Sequence, residues 1–272
     1  MREPIVTRPF LKWAGNKYRL LDRIRPLLTK GGRLIEPFAG SCALFLNTDY
    51  RLNVLNDNNA DLINIYSSLQ DEAEDFIDYA EQFFIARNNN ETAYYRFRKQ
   101  FNRTDDPYLK AALFIYMNRH GYNGLCRYNN SGGFNVPFGR YKRPYFPRQE
   151  MQLFAKKSQQ ARFTNESFLV AMKKARRGDL VYCDPPYVPL TSTANFTSYS
   201  AGGFAKAEQL ALAAQAQKLA ARGVTVIISN HDTPFTQATY RDAICTRFEV
   251  RRTISCNATR RGYAGELLAR YG

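Results

Sequence analysis

The chain has 272 residues, 44% of them hydrophobic, which suits one large α/β domain or a catalytic domain that carries a modest insertion. Its 39 Lys and Arg against 24 Asp and Glu leave a net charge of +15, which favours a polyanionic partner such as nucleic acid over a basic surface kept for solubility. Five scattered cysteines, only two histidines and no long apolar run argue against a disulfide framework, a His-based metal site and a membrane span, and favour the cytoplasm.

The first sixty residues predict an alternation of helices and strands. A helix is expected at about residues 17–29, and Gly31-Gly32 ends it. A strand at residues 33–38 leads into a turn of small residues and a short helix, and a second strand at residues 52–57 precedes a helix from about residue 60. This order predicts a parallel sheet with right-handed crossovers.

The pattern changes between residues 61 and 146. Residues 71–117 have helical periodicity, and the glycines and asparagines of residues 118–137 between short aromatic stretches predict a hairpin or a long loop. The α/β alternation resumes after Pro147, with strands expected at residues 161–165, 180–183 and 224–229 and a helix at residues 206–221. We therefore expect a sheet domain interrupted by a helical and hairpin insertion.

The sequence Asp184-Pro185-Pro186-Tyr187 directly follows one of these apolar strands. Ligands of parallel α/β sheets bind outside the carboxyl ends of the strands, so this loop is a candidate site. The Asp184 carboxylate and the Pro185 carbonyl can accept both hydrogens of an exocyclic amine such as that of adenine, which directs the nitrogen lone pair at an electrophilic methyl group. Tyr187 can stack on the base. The structural alternative is a turn that only ends a strand.

This tetrapeptide resembles the catalytic motif of amino-methyltransferases, and the chain resembles the Dam-type DNA adenine methyltransferases nearly from end to end. The other segments that match the family are residues 10–17, 36–41, 56–59, 122–127, 135–142, 193–197 and 229–232. Their order, with the cofactor loop first, then the recognition insertion and then the catalytic motif, is that of the family's alpha class.

The resemblance implies an α/β fold, with a Rossmann-like methyltransferase sheet and helices on both of its faces at residues 1–60 and 147–272, and a helical and β-hairpin target-recognition domain at residues 61–146. It implies methyl transfer from S-adenosylmethionine (AdoMet) to the N6 amine of adenine in double-stranded DNA, with GATC as the expected site and the base flipped out of the duplex. No metal and no obligate protein partner are implied, and the expected location is the cytoplasm, on the nucleoid.

The expected cofactor site also follows in part from the residues themselves. Small residues at 39–41 let the backbone approach a ligand, and Asp57 ends the next strand, where a carboxylate can accept from ribose hydroxyls. By resemblance, the residues that contact AdoMet are Trp13, Lys17, Pro37, Phe38, Asp57 and Asp184. Two positions depart from the family pattern, since Cys42 and Asn16 stand where the family has Gly. We therefore expect some change in cofactor geometry or affinity.

The predicted hairpin is the candidate reader of DNA sequence. Arg127 can donate two hydrogen bonds to a guanine in the major groove, and Tyr122 and Leu125 can wedge and stack where a base has left the duplex. By resemblance, the DNA-binding residues are Lys12, Tyr122, Asn123, Leu125, Arg127, Pro137, Arg140 and Lys142. Lys12 and Arg127 are expected on guanines, and Arg140 and Lys142 on the DNA backbone. The alternative is a solvated basic loop.

Two other functions stay open at this point. One is the same chemistry on another acceptor, such as cytosine N4 or RNA, although an arginine in a hairpin suits a duplex major groove better than RNA. The other is a DNA-binding regulator without catalytic activity, against which the intact 184–187 motif argues. For His231, contact with the DNA backbone and a capping or structural role are both open.

Overall fold

The structure is a computed structural model of the chain and describes residues 6–189, 204–251 and 263–272. The family-matching segment at residues 193–197 and Cys256 lie outside the described residues. None of the helices in the described ranges is long and apolar enough to cross a membrane.

The protein is a mixed α/β protein, as predicted. Its helices are α1 (Leu21–Ile24), α2 (Ala43–Leu46), α3 (Ala60–Glu81), α4 (Glu91–Phe101), α5 (Pro107–His120), α6 (Arg148–Ser158), α7 (Phe168–Lys173), α8 (Lys206–Ala220) and α9 (Pro234–Thr239). Its strands are β1 (Leu34–Glu36), β2 (Asn53–Asn56), β3 (Ala161–Thr164), β4 (Leu180–Cys183), β5 (Thr225–His231), β6 (Ile244–Arg251) and β7 (Tyr263–Tyr271). Short 3-10 turns lie at Lys17–Leu20, Arg25–Leu27, Ala86–Asn88 and Tyr122–Gly124.

The chain forms two compact units. The first unit contains the described part of Met1–Asp22 together with Ala39–Glu166, and the second contains Arg23–Phe38 together with Ser167–Gly272. These units reflect packing. The functional division into residues 1–60 with 147–272 and residues 61–146 stays a prediction.

The first unit combines a parallel strand pair with a helical core. Strand β2 pairs with β3 in register from Asn53 opposite Ala161. Helix α3 packs against α5 and α6, and α5 is central, because every residue from 111 to 118 is buried. Phe76 and Ala80, which lie four residues apart and so on one face of α3, are fully buried. The predicted helical periodicity is thus confirmed here.

Side-chain caps explain where the long helices of the first unit begin. Asn59 accepts the Leu62 N–H at the start of α3, and Asn90 accepts the Ala93 N–H at the start of α4. Asp106 caps α5, whose first residue is a proline that has no N–H to satisfy. Each polar residue thus supplies an acceptor that the first turn of a helix lacks.

The second unit contains the strand order β1-β4-β5-β7-β6. Strands β1, β4 and β5 are parallel, whereas β7 runs antiparallel to both β5 and β6. All four residues of β4 are buried, as is typical of a strand covered on both faces. This arrangement places the residue after β4 beside the end of β5, because neighbouring parallel strands end at the same edge.

The region predicted as a helix at residues 17–29 is less regular than expected. It consists of a 3-10 turn, the short helix α1 and a second 3-10 turn that contains Pro26. Proline has no N–H for the helical ladder, and its ring disfavours the α region for Arg25, so one continuous helix does not form.

A buried ion pair stabilises the second unit. Asp179 Oδ2 accepts from Arg33 Nη2 at 2.7 Å and from the Arg176 N–H at 2.8 Å, and Asp179 is only 5% exposed. Burial by itself raises the pKa of Asp179, but the hydrogen bonds from Arg33 and Arg176 outweigh it and hold the pKa below its ordinary value. The ionised form therefore contributes stability above the unfolded-state pKa, and this contribution is lost as pH falls through the folded-state pKa.

We expect Asp179→Ala to lower the free energy of unfolding by about 1.5–3 kcal/mol at neutral pH, since it removes hydrogen bonds to a charged group. The difference from wild type should shrink in acid, below the ordinary Asp pKa of about 3.9. Urea unfolding at several pH values measures both effects, with Asp71→Ala, an exposed aspartate of α3, as the control. A difference that is constant across this pH range would contradict the assignment.

Candidate active site and nucleic-acid interface

The loop of residues 184–187, called here the 184–187 loop, begins directly after β4. Ser229, on the neighbouring strand β5, donates its hydroxyl to Asp184 Oδ1 at 2.9 Å. The pairing of Cys183 with Ile228 brings these two side chains together. Asp184 is half-buried, and the hydrogen bond from Ser229 holds its carboxylate in place.

The main chain of the loop is anchored from two sides. Gln209 Nε2 donates to the Pro186 carbonyl at 2.9 Å, and the Val188 N–H donates to Asn230 Oδ1 at 3.1 Å. Within the described ranges, no group donates a hydrogen bond to the Pro185 carbonyl. The carbonyl predicted to accept from an amine thus has no competing donor among these residues.

Tyr187 is fixed through its side chain. Its hydroxyl donates to Glu266 Oε2 at 3.2 Å, and its ring meets that of His231 edge-on, with 4.8 Å between the ring centroids. Burial, together with the charges of Asp184 and Glu266, raises the pKa of Tyr187 well above its ordinary value. The phenol therefore stays neutral and keeps its proton to donate.

His231 has a structural contact in addition to this ring contact. Its Nδ1 lies 2.7 Å from the Val188 carbonyl, just beyond the 184–187 loop. This geometry supports the structural interpretation of His231. Contact with DNA stays a prediction.

Pro37 and Phe38, expected near the cofactor, follow β1 in the second unit. Pro37 is buried, and Phe38 is half-buried in an aromatic cluster. Its ring stacks on that of Phe168 at 5.4 Å and meets that of Phe204 edge-on at 5.3 Å. One face of Phe38 is therefore already used by protein, which fixes the orientation of the ring.

In the first unit, the turn of small residues is tied to the end of β2. Asp57 Oδ2 accepts the Gly40 N–H and Oδ1 accepts the Asn59 N–H, both at 3.0 Å. Burial raises the pKa of Asp57, while the backbone N–H groups of Gly40, Asn58 and Asn59 favour the ionised form. A carboxylate can accept about four hydrogen bonds, so Asp57 retains capacity for a ligand hydroxyl.

Trp13 packs directly against this turn. Gly40 has φ +47°, and a Cβ at this position would lie 2.9 Å from Trp13 Nε1, so the contact requires glycine. Lys17, also expected at the cofactor, is buried, and its ammonium donates to the Gly15 carbonyl at 2.6 Å. The structure thus brings Trp13, Gly40 and Asp57 together within one unit.

Cys42, one of the two departures from the family pattern, lies where the backbone favours glycine. It precedes α2 with φ 57° and ψ 31°, in the left-handed region where a residue with a side chain costs about 1 kcal/mol or more. A glycine there would avoid that strain. The Cys42 side chain is fully buried, and its expected effect on the cofactor stays a prediction.

The predicted hairpin is present and is loosely paired. Its cross-strand pairing consists of two isolated bridges, Gly121 with Phe138 and Tyr128 with Phe134. Arg127 is exposed at its side, where Nε donates to Asn135 Oδ1 at 2.8 Å and Nη2 donates to the Asn135 carbonyl at 3.2 Å. Asn135 thus holds one edge of the guanidinium and leaves the other edge for a bidentate ligand.

Lys12 lies against the same hairpin, although it is far away in sequence. Buried Asn118 accepts the Lys12 N–H at 2.9 Å and donates to the Lys12 carbonyl at 2.8 Å. The Lys12 ammonium stands 4.3 Å from the centroid of the Tyr141 ring, and Gly124 leaves room for the Lys12 side chain. Burial lowers the pKa of Lys12, and the charge of Arg119 adds to this.

The remaining predicted DNA-binding residues lie on this segment with different exposures. Tyr122 is 52% exposed. The other exposed residues are Asn123, Pro137, Arg140 and Lys142, while Leu125 is half-buried. Asn123 adopts φ 53°, which asparagine tolerates, and its N–H donates to the Tyr141 hydroxyl.

Several residues that shape these sites were not assigned a role from sequence. They are Ser229, Gln209, Asn230 and Glu266 around the 184–187 loop, and Asn118, Asn135 and Tyr141 at the hairpin. Most of them act on a partner distant in the chain, and single asparagines and glutamines give no local signal. In the described part of the chain, no group of three His, Cys, Asp or Glu residues has a geometry that could hold a metal ion.

Comparison with known proteins gives a consistent result. The family model of the D12 class of N6 adenine-specific DNA methyltransferases matches residues 13–254. The DNA adenine methylase of Serratia marcescens is 50% identical over 265 residues, which cover 97% of this chain and 98% of that protein.

Two further relatives carry the same name. The DNA adenine methylase of Vibrio cholerae serotype O1 (strain ATCC 39315) is 49% identical over 263 residues, which cover 96% of this chain and 95% of the relative. That of Escherichia coli (strain K12) is 48% identical over 264 residues, which cover 97% of this chain and 95% of the relative. Because family model and relatives match most of its length, the chain belongs to the D12 class of N6 adenine-specific DNA methyltransferases.

Proposed function

We propose that this enzyme transfers the methyl group of AdoMet to the N6 amine of the adenine in GATC, after the base has left the duplex, at the 184–187 loop. The observation that carries the proposal is the pair of acceptors at the end of β4. The Asp184 carboxylate is held by Ser229, and the adjacent Pro185 carbonyl has no donor among the described residues. A cytoplasmic location on the nucleoid belongs to the same proposal.

These two acceptors suit an aromatic amine. The lone pair of N6 is delocalised into the adenine ring, so the free amine is a weak nucleophile. Hydrogen bonds from both amine hydrogens to Asp184 and Pro185 favour a tetrahedral nitrogen whose lone pair points outward. Tyr187, whose ring is fixed by Glu266 and His231, supplies a flat surface on which the base can stack.

The residues proposed to hold AdoMet fit its chemistry. AdoMet supplies a methyl group made electrophilic by a positively charged sulfur. Asp57 can accept from the ribose hydroxyls, and Trp13 and Phe38 are half-buried aromatic rings suited to the adenine of the cofactor. Lys17, Pro37 and Asp184 complete the proposed set, which rests on the family resemblance.

The hairpin supports sequence reading by direct contact. The free edge of the Arg127 guanidinium matches the two acceptors of a guanine in the major groove. Tyr122 and Leu125 are proposed to occupy the space left by the flipped base, with Lys12, Asn123 and Pro137 on other bases. Arg140 and Lys142 are exposed and are proposed to contact phosphates, which position the protein but carry no sequence information.

The test is expression in a host that lacks DNA methylation, followed by sequencing that detects modified bases. We expect N6-methyladenine at GATC and no modification in a culture without the enzyme. Methylation of cytosine N4, or of adenine outside GATC, would overturn the proposed site. Modified RNA with unmodified DNA would overturn the proposed substrate.

Asp57→Ala tests the proposed cofactor site. We expect AdoMet affinity to fall about ten- to hundredfold, since a hydrogen bond to a charged group contributes roughly 1.5–3 kcal/mol. Calorimetric titration measures the dissociation constant, and a parallel melting curve checks the loss of the contacts with Gly40 and Asn59. Asp71→Ala is the control. An unchanged dissociation constant in a folded variant would remove Asp57 from the site.

A further inference from the structure

Three polar side chains, Gln209, Asn230 and Tyr240, form a buried cluster in the second unit, called here the amide cluster. Their relative exposures are 1%, 0% and 0%. Asn230 Nδ2 donates to Gln209 Oε1 at 3.0 Å and to the Tyr240 hydroxyl at 3.1 Å, and that hydroxyl donates to Gln209 Oε1 at 3.1 Å. The cluster therefore joins helix α8, strand β5 and the residue after α9.

Other polar atoms of the amide cluster form hydrogen bonds with the main chain in and next to the 184–187 loop. Gln209 Nε2 donates to the Pro186 carbonyl, and Asn230 Oδ1 accepts the Val188 N–H. These two contacts lie on either side of Tyr187 in the chain. The residues immediately before and after Tyr187 are thus held by one rigid set of side chains.

The burial of this cluster restricts the loop to one geometry. A buried amide that loses its partner costs roughly 1–3 kcal/mol, so every donor and acceptor favours the arrangement in which all are satisfied. Displacement of Pro186 would leave a Gln209 N–H without its acceptor away from water, and displacement of Val188 would remove one of the two N–H groups, those of Val188 and His231, that Asn230 Oδ1 accepts. Apolar side chains of similar size could fill the same space but would not select one position of the loop.

We propose that Gln209 and Asn230 are positioning residues for methyl transfer. They hold the main chain on both sides of Tyr187, and the main chain in turn positions the Asp184 carboxylate and the Pro185 carbonyl. The inference rests on the proposed function of this loop. Because both amides are used within the protein, their effect falls on the rate of the chemical step and not on the affinity for DNA.

The test is Gln209→Met, which keeps the length of the side chain and removes both the donor to Pro186 and the oxygen that accepts from Asn230 and Tyr240. We expect the single-turnover rate on a GATC duplex, at saturating AdoMet, to fall roughly tenfold to a hundredfold, because small errors in position have such effects on catalysis. The dissociation constant for DNA should stay within about twofold of wild type, since the phosphate contacts are untouched.

Gln215→Met is the matched control. Gln215 lies on the same helix and is 8% exposed, and it makes no hydrogen bond to the 184–187 loop among the described residues. A purely structural cluster predicts that Gln209→Met melts earlier but keeps the wild-type rate per folded molecule, as Gln215→Met does. That result, or an equal loss of rate in both variants, would overturn the proposal.

A second variant covers the case in which Gln209→Met does not fold. Gln209→Glu keeps an oxygen for Asn230 and Tyr240 and, when its carboxyl is ionised, places an acceptor in place of the donor to Pro186, so the same fall in rate is expected at a pH where the carboxyl is ionised. The result with the wild-type enzyme distinguishes a failure of the proposed function from a failure of this positioning proposal. If wild type methylates another sequence, the proposed GATC site is overturned, and the comparison of variants is made on the sequence that it does methylate.

Discussion

Asp184→Ala should lower the single-turnover rate of methyl transfer on the order of a hundredfold or more, with DNA affinity largely retained. The carboxylate is expected to interact most strongly with the amine in the transition state, so its loss lowers the rate constant more than binding. Affinity rests mainly on phosphate contacts made elsewhere. Rapid-quench kinetics at saturating AdoMet measure the rate, and fluorescence anisotropy at fixed salt measures the affinity.

An exposed aspartate of the second unit provides the control for this experiment. Asp242 accepts a hydrogen bond from Gln217 and stands apart from the 184–187 loop in the sequence. Asp242→Ala should therefore keep the wild-type rate. If Asp184→Ala retains most of its turnover, the loop is not the site of methyl transfer and the contact of Asp184 with Ser229 is structural.

Arg127→Ala should reduce discrimination between sequences more than it reduces binding. A bidentate arginine–guanine pair contributes about 1–3 kcal/mol of discrimination, so the penalty for one altered flanking pair should fall by roughly 5- to 150-fold. Asn135 holds one edge of the guanidinium in the free protein, which prepares the other edge for the base. Methylation rates on GATC and on singly altered sites, each at several salt concentrations, measure this effect.

Arg140→Ala is the comparison for Arg127→Ala. Arg140 is exposed and, among the residues that the structure describes, makes only a long ion pair, with Glu91 at 3.6 Å. A phosphate contact would weaken all sequences alike and make the salt dependence shallower. The same pattern in Arg127→Ala, with unaltered preference, would make Arg127 a phosphate anchor and leave sequence reading to Lys12, Asn123 and Pro137.

Elements with a strong local pattern could be predicted from the sequence. Strands β1 to β5 and helix α8 lie where apolar runs and helical periodicity place them. The antiparallel strand β7 was not predicted, because its Glu-Leu-Leu-Ala-Arg stretch favours a helix. Hydrogen bonding to β5 on one side and to β6 on the other overrides that preference.

In the candidate site, too, some features could be predicted from the sequence and others could not. The sequence by itself determined the chemistry, since Asp184, Pro185, Pro186 and Tyr187 are consecutive and their backbone geometry is local. Only the tertiary structure decided what holds them. Ser229, Gln209 and Glu266 meet the loop because of strand register and helix packing, at separations of 45, 23 and 79 residues. Such contacts leave no periodic trace in a sequence, because each depends on a single polar side chain whose partner is defined only when the chain has folded.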